Sequence, residues 1–316
     1  MFRLILILAA PLFFFLSSGP AQAQAANCSF NVSNVDFGSV DTLAGAAVDT
    51  AATVSVSCMP VTGARVRACI SLGAGSGGAT AGLRHMLSGA DILDYNLYQD
   101  AARTIPWGTR LDPSLGTPVA LDFSGAGGTQ NINVYGRVFG AQQAASAGLY
   151  TSSLTATDVM LNAVDYGGVP SDCSAIMTNT KTAGPVVVQA EIDANCFVAA
   201  QNIDFGNQGG LAADVDSTGE IDVTCTPGLG YTVALDNGLT GTGPTTRQMA
   251  LGGDAITYGL YKDGARSQPW GVSGAQRLSG TGAGAAQTLP VYARVPAQTT
   301  PPAGTYSDTV VVTVEY

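Results

Sequence analysis

Two stretches of the chain share one pattern with the same internal spacing. Residues 28–38 read CSFNVSNVDFG, and residues 196–206 read CFVAAQNIDFG. Each places Asp-Phe-Gly at the same distance after a cysteine. A second cysteine follows at a similar distance in both, within VSCMP at 56–60 and VTCTP at 223–227. The pattern indicates that the chain contains the same unit twice.

Further motifs recur in the same order in the second half. They are Arg84, Tyr95, Leu97-Tyr98, Pro106-Trp107-Gly108, Tyr135 and Arg137, matched by Arg247, Tyr258, Leu260-Tyr261, Pro269-Trp270-Gly271, Tyr292 and Arg294. This many matches in one order predicts a duplicated domain. Tyr95, Tyr98 and Trp107, with their counterparts in the second half, are interpreted as core residues whose polar ring atoms find a partner, rather than as a ligand platform.

The repeat also selects a cysteine pairing. Six cysteines permit several connectivities, and none of them forms a C-x-x-C pair. Equivalent positions in the two copies favour Cys28–Cys58 and Cys196–Cys225. Cys69 and Cys173 occur in the first copy alone and are left to pair with each other. Such cysteine usage is typical of an oxidising compartment.

Alternation of β-branched and polar residues predicts short, half-buried strands throughout, and glycine-rich stretches predict turns. We therefore expect an all-β chain of two tandem immunoglobulin-like or pilin-like β-sandwich domains, the C-terminal one incomplete. Arg3, an apolar run and Ala-Gln-Ala at 21–23 predict a signal peptide over 1–23. The expected domains are 24–184, which includes a linker, and 185–316.

Composition excludes several functions. Charged residues make up 11% of the chain and the net charge is −10, so there is no basic footprint for nucleic acid. No segment after the signal is long and apolar enough to span a membrane. The single histidine, His85, is replaced by Gln248 in the second copy, and no nucleophile elbow, zinc motif or phosphate loop occurs. We expect no enzyme activity, no cofactor and no metal.

The set of paired cysteines, Asp-Phe-Gly, Pro-Trp-Gly, Val-Tyr-x-Arg-Val, Gly-x-Tyr and a valine-rich terminal strand resembles the spore coat protein U domain family, which includes subunits of archaic chaperone–usher pili. The resemblance covers nearly all of the chain after the signal, twice. It implies sandwiches that lack one strand, which a periplasmic chaperone supplies first and the next subunit replaces at an outer-membrane usher. The two-domain arrangement implies a tip adhesin that is exported through the periplasm to the cell surface, where it supports attachment and biofilm formation.

The ends of the chain agree with a tip position. Cleavage after Ala23 leaves only 24–27 before Cys28, too little for a donor strand. A donor-like alternating segment instead lies at 185–192, between the copies, where it either completes the first copy or begins the second. The chain closes with an alternating strand that is expected to receive the chaperone or donor strand: Val310, Val312, Val314 and Tyr316.

Surface binding is expected in the first copy, to an abiotic or host surface, because its loops are longer and inserted loops commonly carry function. Candidate adhesive residues on or near these loops are Leu111, Leu115, Val119, Phe123, Phe139 and Leu154. For each of them, packing back onto the sandwich is an equally good interpretation. Alternative functions are a structural fimbrial or secreted coat subunit and a glycan-binding lectin on the same scaffold.

Overall fold

The computed structural model describes residues 26–61 and 64–316, which fold into two β-sandwich domains in tandem. The predicted signal peptide, residues 1–23, lies outside the described residues. Helical structure in the described ranges is confined to short 3₁₀ turns at Pro113–Leu115, Ala156–Asp158 and Gly274–Gln276. No helix in those ranges is long and apolar enough to cross a membrane. The predicted all-β fold class is confirmed.

Most strands of the first domain alternate between more and less buried residues, as the period-two pattern requires, whereas Arg65–Leu72 and Val159–Tyr166 carry continuous runs of buried residues. They are β1 (Cys28–Val32), β2 (Val35–Val40), β3 (Val48–Cys58), β4 (Arg65–Leu72), β5 (Ala79–Thr80), β6 (Leu83–Ser88), β7 (Asp91–Tyr98), β8 (Val119–Phe123), β9 (Gly128–Val138), β10 (Gly148–Leu154), β11 (Val159–Tyr166), β12 (Lys181–Thr182) and β13 (Val186–Ile192). The larger sheet has the order β1-β3-β9-β7-β6-β10-β13-β2, with β5 beside β6. The smaller sheet has the order β12-β11-β4-β8 and packs over the same core.

The second domain repeats this plan with fewer strands. They are β14 (Cys196–Ala200), β15 (Val215–Cys225), β16 (Gly230–Leu235), β17 (Arg247–Leu251), β18 (Asp254–Tyr261), β19 (Leu278–Thr281), β20 (Gln287–Val295) and β21 (Val312–Glu315). One sheet has the order β14-β15-β20-β18-β17 and the other has the order β19-β16-β21. The pairing of β14 with β15 and of β15 with β20 matches that of β1, β3 and β9.

The recurring tryptophans lie in equivalent places in the two cores. Trp107 is fully buried, and its indole Nε1 donates to the carbonyl oxygen of Ile70 at 2.9 Å. Trp270 is also fully buried and donates to the carbonyl oxygen of Val233 at 3.0 Å. A buried indole N–H needs such a partner, since leaving it unbonded would cost free energy. Both residues therefore serve packing, as the repeat predicted.

Each domain also contains a buried arginine whose N–H groups have hydrogen-bond partners. The guanidinium of Arg84 donates to the carbonyl oxygens of Leu72 and Trp107, both at 2.7 Å. Arg247 makes the corresponding two bonds in the second domain, at 3.2 and 2.8 Å. Burial lowers the pKa of both arginines, because it disfavours the charged form. The carbonyl oxygens around each guanidinium compensate for the water that it loses on burial.

Three disulfides join the predicted partners. Cys28–Cys58 bridges residues that face each other on β1 and β3, and Cys196–Cys225 does the same on β14 and β15. Cys69–Cys173 ties β4 to the loop that follows β11. The pairing inferred from the repeat is confirmed.

The boundary between the domains lies later than the sequence indicated. β13 forms a ladder with β10 and β2 inside the larger sheet of the first domain, and its inward residues join that core. The first domain therefore extends through Ile192 rather than ending at residue 184. Periodicity predicted this strand correctly, but periodicity cannot choose which of two sheets a strand enters, because that choice depends on long-range pairing.

Candidate functional site: a groove in the second domain

The first domain is completed by β13. This strand runs antiparallel to β10, with Val186 opposite Leu154 and Ile192 opposite Gly148, and parallel to β2 on its other side. Val186, Val188, Ala190 and Ile192 point inward and are at most 2% exposed. Burying a side chain of this size stabilises a fold by about 1.5–3 kcal/mol. The inserted strand thus supplies a substantial part of the first core.

In the second domain the same place is open. The counterparts of β2 and β10, residues 203–208 and 304–310, are outside the strands of either sheet, and no strand of the described residues lies between them. A groove of about 460 Å³ occupies the gap. Its apolar wall is formed by Ile203, Phe205, Ile221, Leu235, Met249, Tyr258, Leu260, Val291, Tyr306, Val310 and Val312. The second sandwich is incomplete, as predicted.

Residues that neighbour β13 in the first domain are more buried than their counterparts in the second domain. Tyr150 and Leu154 are fully buried beside β13, whereas their counterparts Tyr306 and Val310 are half-buried. Phe37 is buried in the first core, and its counterpart Phe205 is half-exposed. An apolar channel of this kind, flanked by backbone without a strand partner, is suited to take up an extended peptide by β-augmentation. Main-chain bonds would give affinity, and alternate side chains would enter the channel.

One carboxylate lies in the wall of the groove. Asp308 accepts hydrogen bonds from the Tyr258 hydroxyl at 2.7 Å and from the Leu239 amide at 2.9 Å. Burial, followed by this bond to Asp308, raises the pKa of Tyr258 above its ordinary value. The first domain has Ser152 in the place of Asp308, fully buried under β13. At this position the open groove carries a carboxylate where the filled first domain carries a hydroxyl group.

The C-terminal residues expected to receive a strand occupy different places. Val310 and Val312 line the groove. Val314 lies opposite Val233 on β21 and packs against the second core, and Tyr316 is 59% exposed beyond the strand. Sequence reasoning missed the opposite wall, formed by Ile203 and its neighbours. Alignment of the copies could have found it, because Ile203 matches Val35 of β2.

Three of the candidate adhesive residues are buried, so the prediction that they form an exposed surface is wrong. Leu115 is 1% exposed inside its 3₁₀ turn, Phe123 is 3% exposed at the end of β8, and Leu154 is fully buried opposite β13. Each folds back onto the sandwich because burying it removes apolar area from water. Val119 and Phe139 are half-buried, and Leu111 is 54% exposed.

Two exposed apolar residues that the sequence did not single out lie at one end of the first domain. Met59, 52% exposed, follows Cys58 at the end of β3 that is remote from Val48. Val169, 97% exposed, follows β11, whose last residue pairs with the first residue of β4 at the same end. Chain order and pairing direction place the junction with the second domain, residues 193–195, at the other end.

The fold and the groove define a class of protein: two tandem β-sandwiches, one completed by its own strand and one open. The chain belongs to the Spore Coat Protein U domain family, whose model matches residues 15–157 and 182–313. It is 34% identical over 113 residues to Protein U of Myxococcus xanthus, and this match covers 34% of the chain and 63% of that protein, less than two thirds of its length.

A solved structure shares the architecture. The CsuC–CsuE chaperone–tip adhesion subunit pre-assembly complex of Acinetobacter baumannii Csu pili matches with a TM-score of 0.55 and 19% identity, over 91% of this chain and all of that chain. The CupB6 tip adhesin of Pseudomonas aeruginosa matches with a TM-score of 0.42 and 14% identity, over 92% and 94% of the two chains. The likeness to the first of these structures supports the pilin-like β-sandwich fold.

Proposed function

We propose that this protein is a non-enzymatic tip adhesin of a chaperone–usher pilus, and that its second domain takes up a β-strand from another protein. One observation carries the proposal: the place that β13 fills in the first domain is an open apolar groove in the second. A periplasmic chaperone would fill the groove during export, and the donor strand of the next subunit would replace the chaperone's strand at an outer-membrane usher. Membership of the family and the likeness in fold to a chaperone–tip complex support this assignment.

The insertion of β13 into its own domain supports a position of this subunit at the end of the pilus. Among the described residues it is the segment with the alternating apolar pattern of a donor strand. It is already inserted into the first domain of its own chain. A subunit in this state accepts one strand and offers none from that segment, which suits the end of a fibre. The exposed Met59 and Val169, at the far end of the first domain, would then face the surface to which the bacterium attaches.

The groove is tested by co-expression with a chaperone of the chaperone–usher class. Val310→Asp places a charge in the groove, so recovery of the complex should fall at least about tenfold, because an unpaired buried charge is strongly unfavourable. Val311→Asp is the matched control, since Val311 is 55% exposed and adjacent to the changed residue. Equal recovery of both variants would contradict the proposal.

A self-complemented fusion protein separates strand uptake from misfolding. A copy of residues 185–193 is fused through a flexible linker after Tyr316, so that it can enter the groove within the chain. We expect this fusion protein to be a stable monomer without a chaperone and the unfused protein to need one. If the unfused protein is equally stable alone, with its groove amides protected from hydrogen exchange, then the second domain needs no donated strand and the proposal fails.

Adhesion is tested on assembled pili. Met59→Ser together with Val169→Ser should reduce attachment to a hydrophobic abiotic surface, because less apolar area is removed from water on contact. Leu239→Ser is the control, since Leu239 is 75% exposed on the second domain. Unchanged attachment, with a normal number of pili, would exclude this end of the molecule as the adhesive surface.

A further inference from the structure

A second concave site lies on the first domain, away from the open groove. β9 pairs with β3 along its whole length but with β7 only through residues 135–138. Within residues 26–61 and 64–316 no strand pairs with the remaining edge of β9, and a slot of about 400 Å³ opens beside it. Its lining consists of Gln99, Trp107, Val119, Asn131, Ile132, Asn133 and Tyr135. The slot falls within the range of about 300–1,000 Å³ that is typical of small-ligand sites.

The polar groups of the slot are neutral amides and a phenol. Asn133 Nδ2 lies 3.5 Å from the Tyr135 hydroxyl, at the long limit of a hydrogen bond. The side-chain amide of Asn131 is exposed and makes no hydrogen bond to another residue of the described part of the chain. Gln99 is fixed, because its Nε2 donates to the carbonyl oxygen of Thr117 at 2.9 Å. These amides offer donors and acceptors side by side, which suits a ligand rich in hydroxyl groups.

An aromatic ring and two apolar residues complete the lining of the slot. The guanidinium of Arg103 lies over the Tyr135 ring, 5.8 Å from its centroid, and holds the ring in place. Val119 and Ile132 also line the slot and are half-buried against the first core. A fixed aromatic ring beside amides can pack against the C–H face of a sugar while the amides bond its hydroxyl groups.

The residues that face the two asparagines of the slot carry no charge. Ser55 and Thr53 face Asn131 and Asn133 across the β3–β9 ladder. The equivalent residues of the second domain are Asp222 and Glu220, on β15. The nearest charges on this face are Arg103 and Arg137, which share an ion pair with Asp49. A cation would meet two guanidinium groups there, so the site favours a neutral ligand over a cation.

The second domain does not keep the slot. Lys262 replaces Gln99, and its Nζ donates to the carbonyl oxygen of Ala275 at 2.6 Å. Thr288 and Pro290 replace Asn131 and Asn133 on β20. The tryptophan and the tyrosine recur in both domains, whereas the amides belong to the first domain alone. Packing therefore requires the aromatic residues, but it does not account for the amides.

We infer that this slot binds a neutral saccharide, one or two hexose units long, with the sugar ring against Tyr135 and its hydroxyl groups bonded by Gln99, Asn131 and Asn133. Saccharide binding here does not depend on whether the second domain accepts a strand, because the slot is built entirely from residues of the completed sandwich.

The test uses the full-length protein in complex with its chaperone, applied to an array of neutral and sialylated oligosaccharides. We expect saturable binding to neutral members, with no gain in affinity from a sialyl group, because Asp49 already pairs with the nearby Arg103. Asn131→Ala and Asn133→Ala should each weaken that binding at least about tenfold, the loss of one or two hydrogen bonds to the ligand. Thr288→Ala, the change at the position equivalent to Asn131 in the second domain, should leave it unchanged.

Several outcomes would overturn the inference. One is the absence of saturable binding to any neutral saccharide on the array. Another is binding that both alanine variants retain, since the sugar would then lie elsewhere. A third is protection of the free β9 edge by an extended peptide instead of a sugar, which would make the slot a strand-pairing site. Failure of the Val310→Asp experiment would leave the saccharide test unaffected, so the two proposals are distinguishable.

Discussion

Ala190 lies directly opposite Tyr150 across the β10–β13 ladder, and both side chains are buried. The small side chain leaves room for the ring, whose hydroxyl donates to the Ser146 carbonyl oxygen at 2.9 Å. Tyr306 repeats this bond in the second domain, to the Pro302 carbonyl oxygen at 2.9 Å. A strand that enters the open groove in the same register would therefore need a small residue opposite Tyr306.

The first prediction concerns this pair of side chains. Ala190→Leu should destabilise the first domain by about 1–3 kcal/mol, because added volume in a packed core forces strain. Hydrogen exchange of the β10 amides measures the effect. Val187→Leu serves as the control, since Val187 lies on the outer face of β13 and is half-buried. Equal protection in both variants would show that Ala190 does not limit packing against Tyr150.

The second prediction concerns the disulfide found in the first copy alone. Cys69→Ser combined with Cys173→Ser should lower the free energy of unfolding by up to about 4–5 kcal/mol, since the bond closes a loop of 104 residues. It should also expose the segment around residues 167–180 to proteolysis, because Cys173 and Ile176 form a small cluster with Cys69. Limited proteolysis followed by mass spectrometry locates the cut. Cleavage first in the second domain would count against this role.

The third prediction separates a buried arginine from a surface one. Arg84→Lys should destabilise the first domain by about 2–4 kcal/mol, because one ammonium cannot reach the carbonyl oxygens that the guanidinium bonds. Arg67→Lys should cost less than about 1 kcal/mol, since its ion pair with Asp122 is partly solvated. Urea unfolding of the two variants gives the comparison. Similar losses for both would mean that the Arg84 bonds add little to stability.

The fourth prediction concerns alkaline pH. Burial raises the pKa of Tyr150 to about 12, against about 10 in an unfolded chain. A raised pKa means that the stabilisation is complete below pH about 10 and is lost as the pH rises towards 12. Tyr150→Phe should flatten this part of the alkaline unfolding curve, measured by circular dichroism. Tyr316→Phe, at a residue that is 59% exposed, should not change it.

The sequence alone determined the duplication, the three disulfides and the strand character of most segments. The reason is that these features are local or repeated: a period of two marks a strand wherever it packs, and two copies with one pattern reveal which cysteines are equivalent. The buried tryptophans were predictable in the same way, since Trp107 and Trp270 recur within one motif.

Only the tertiary structure decided where β13 goes and which residues line the open groove. An alternating segment fits either sandwich equally well by its pattern, and pairing with both β10 and β2 selects the first. The same limit explains why the burial of Leu115, Phe123 and Leu154 was not predicted, because it depends on neighbours that are distant in sequence. Apolar character indicates that the free energy falls when a side chain leaves water. The three-dimensional packing determines whether its own sandwich covers that side chain or leaves it exposed.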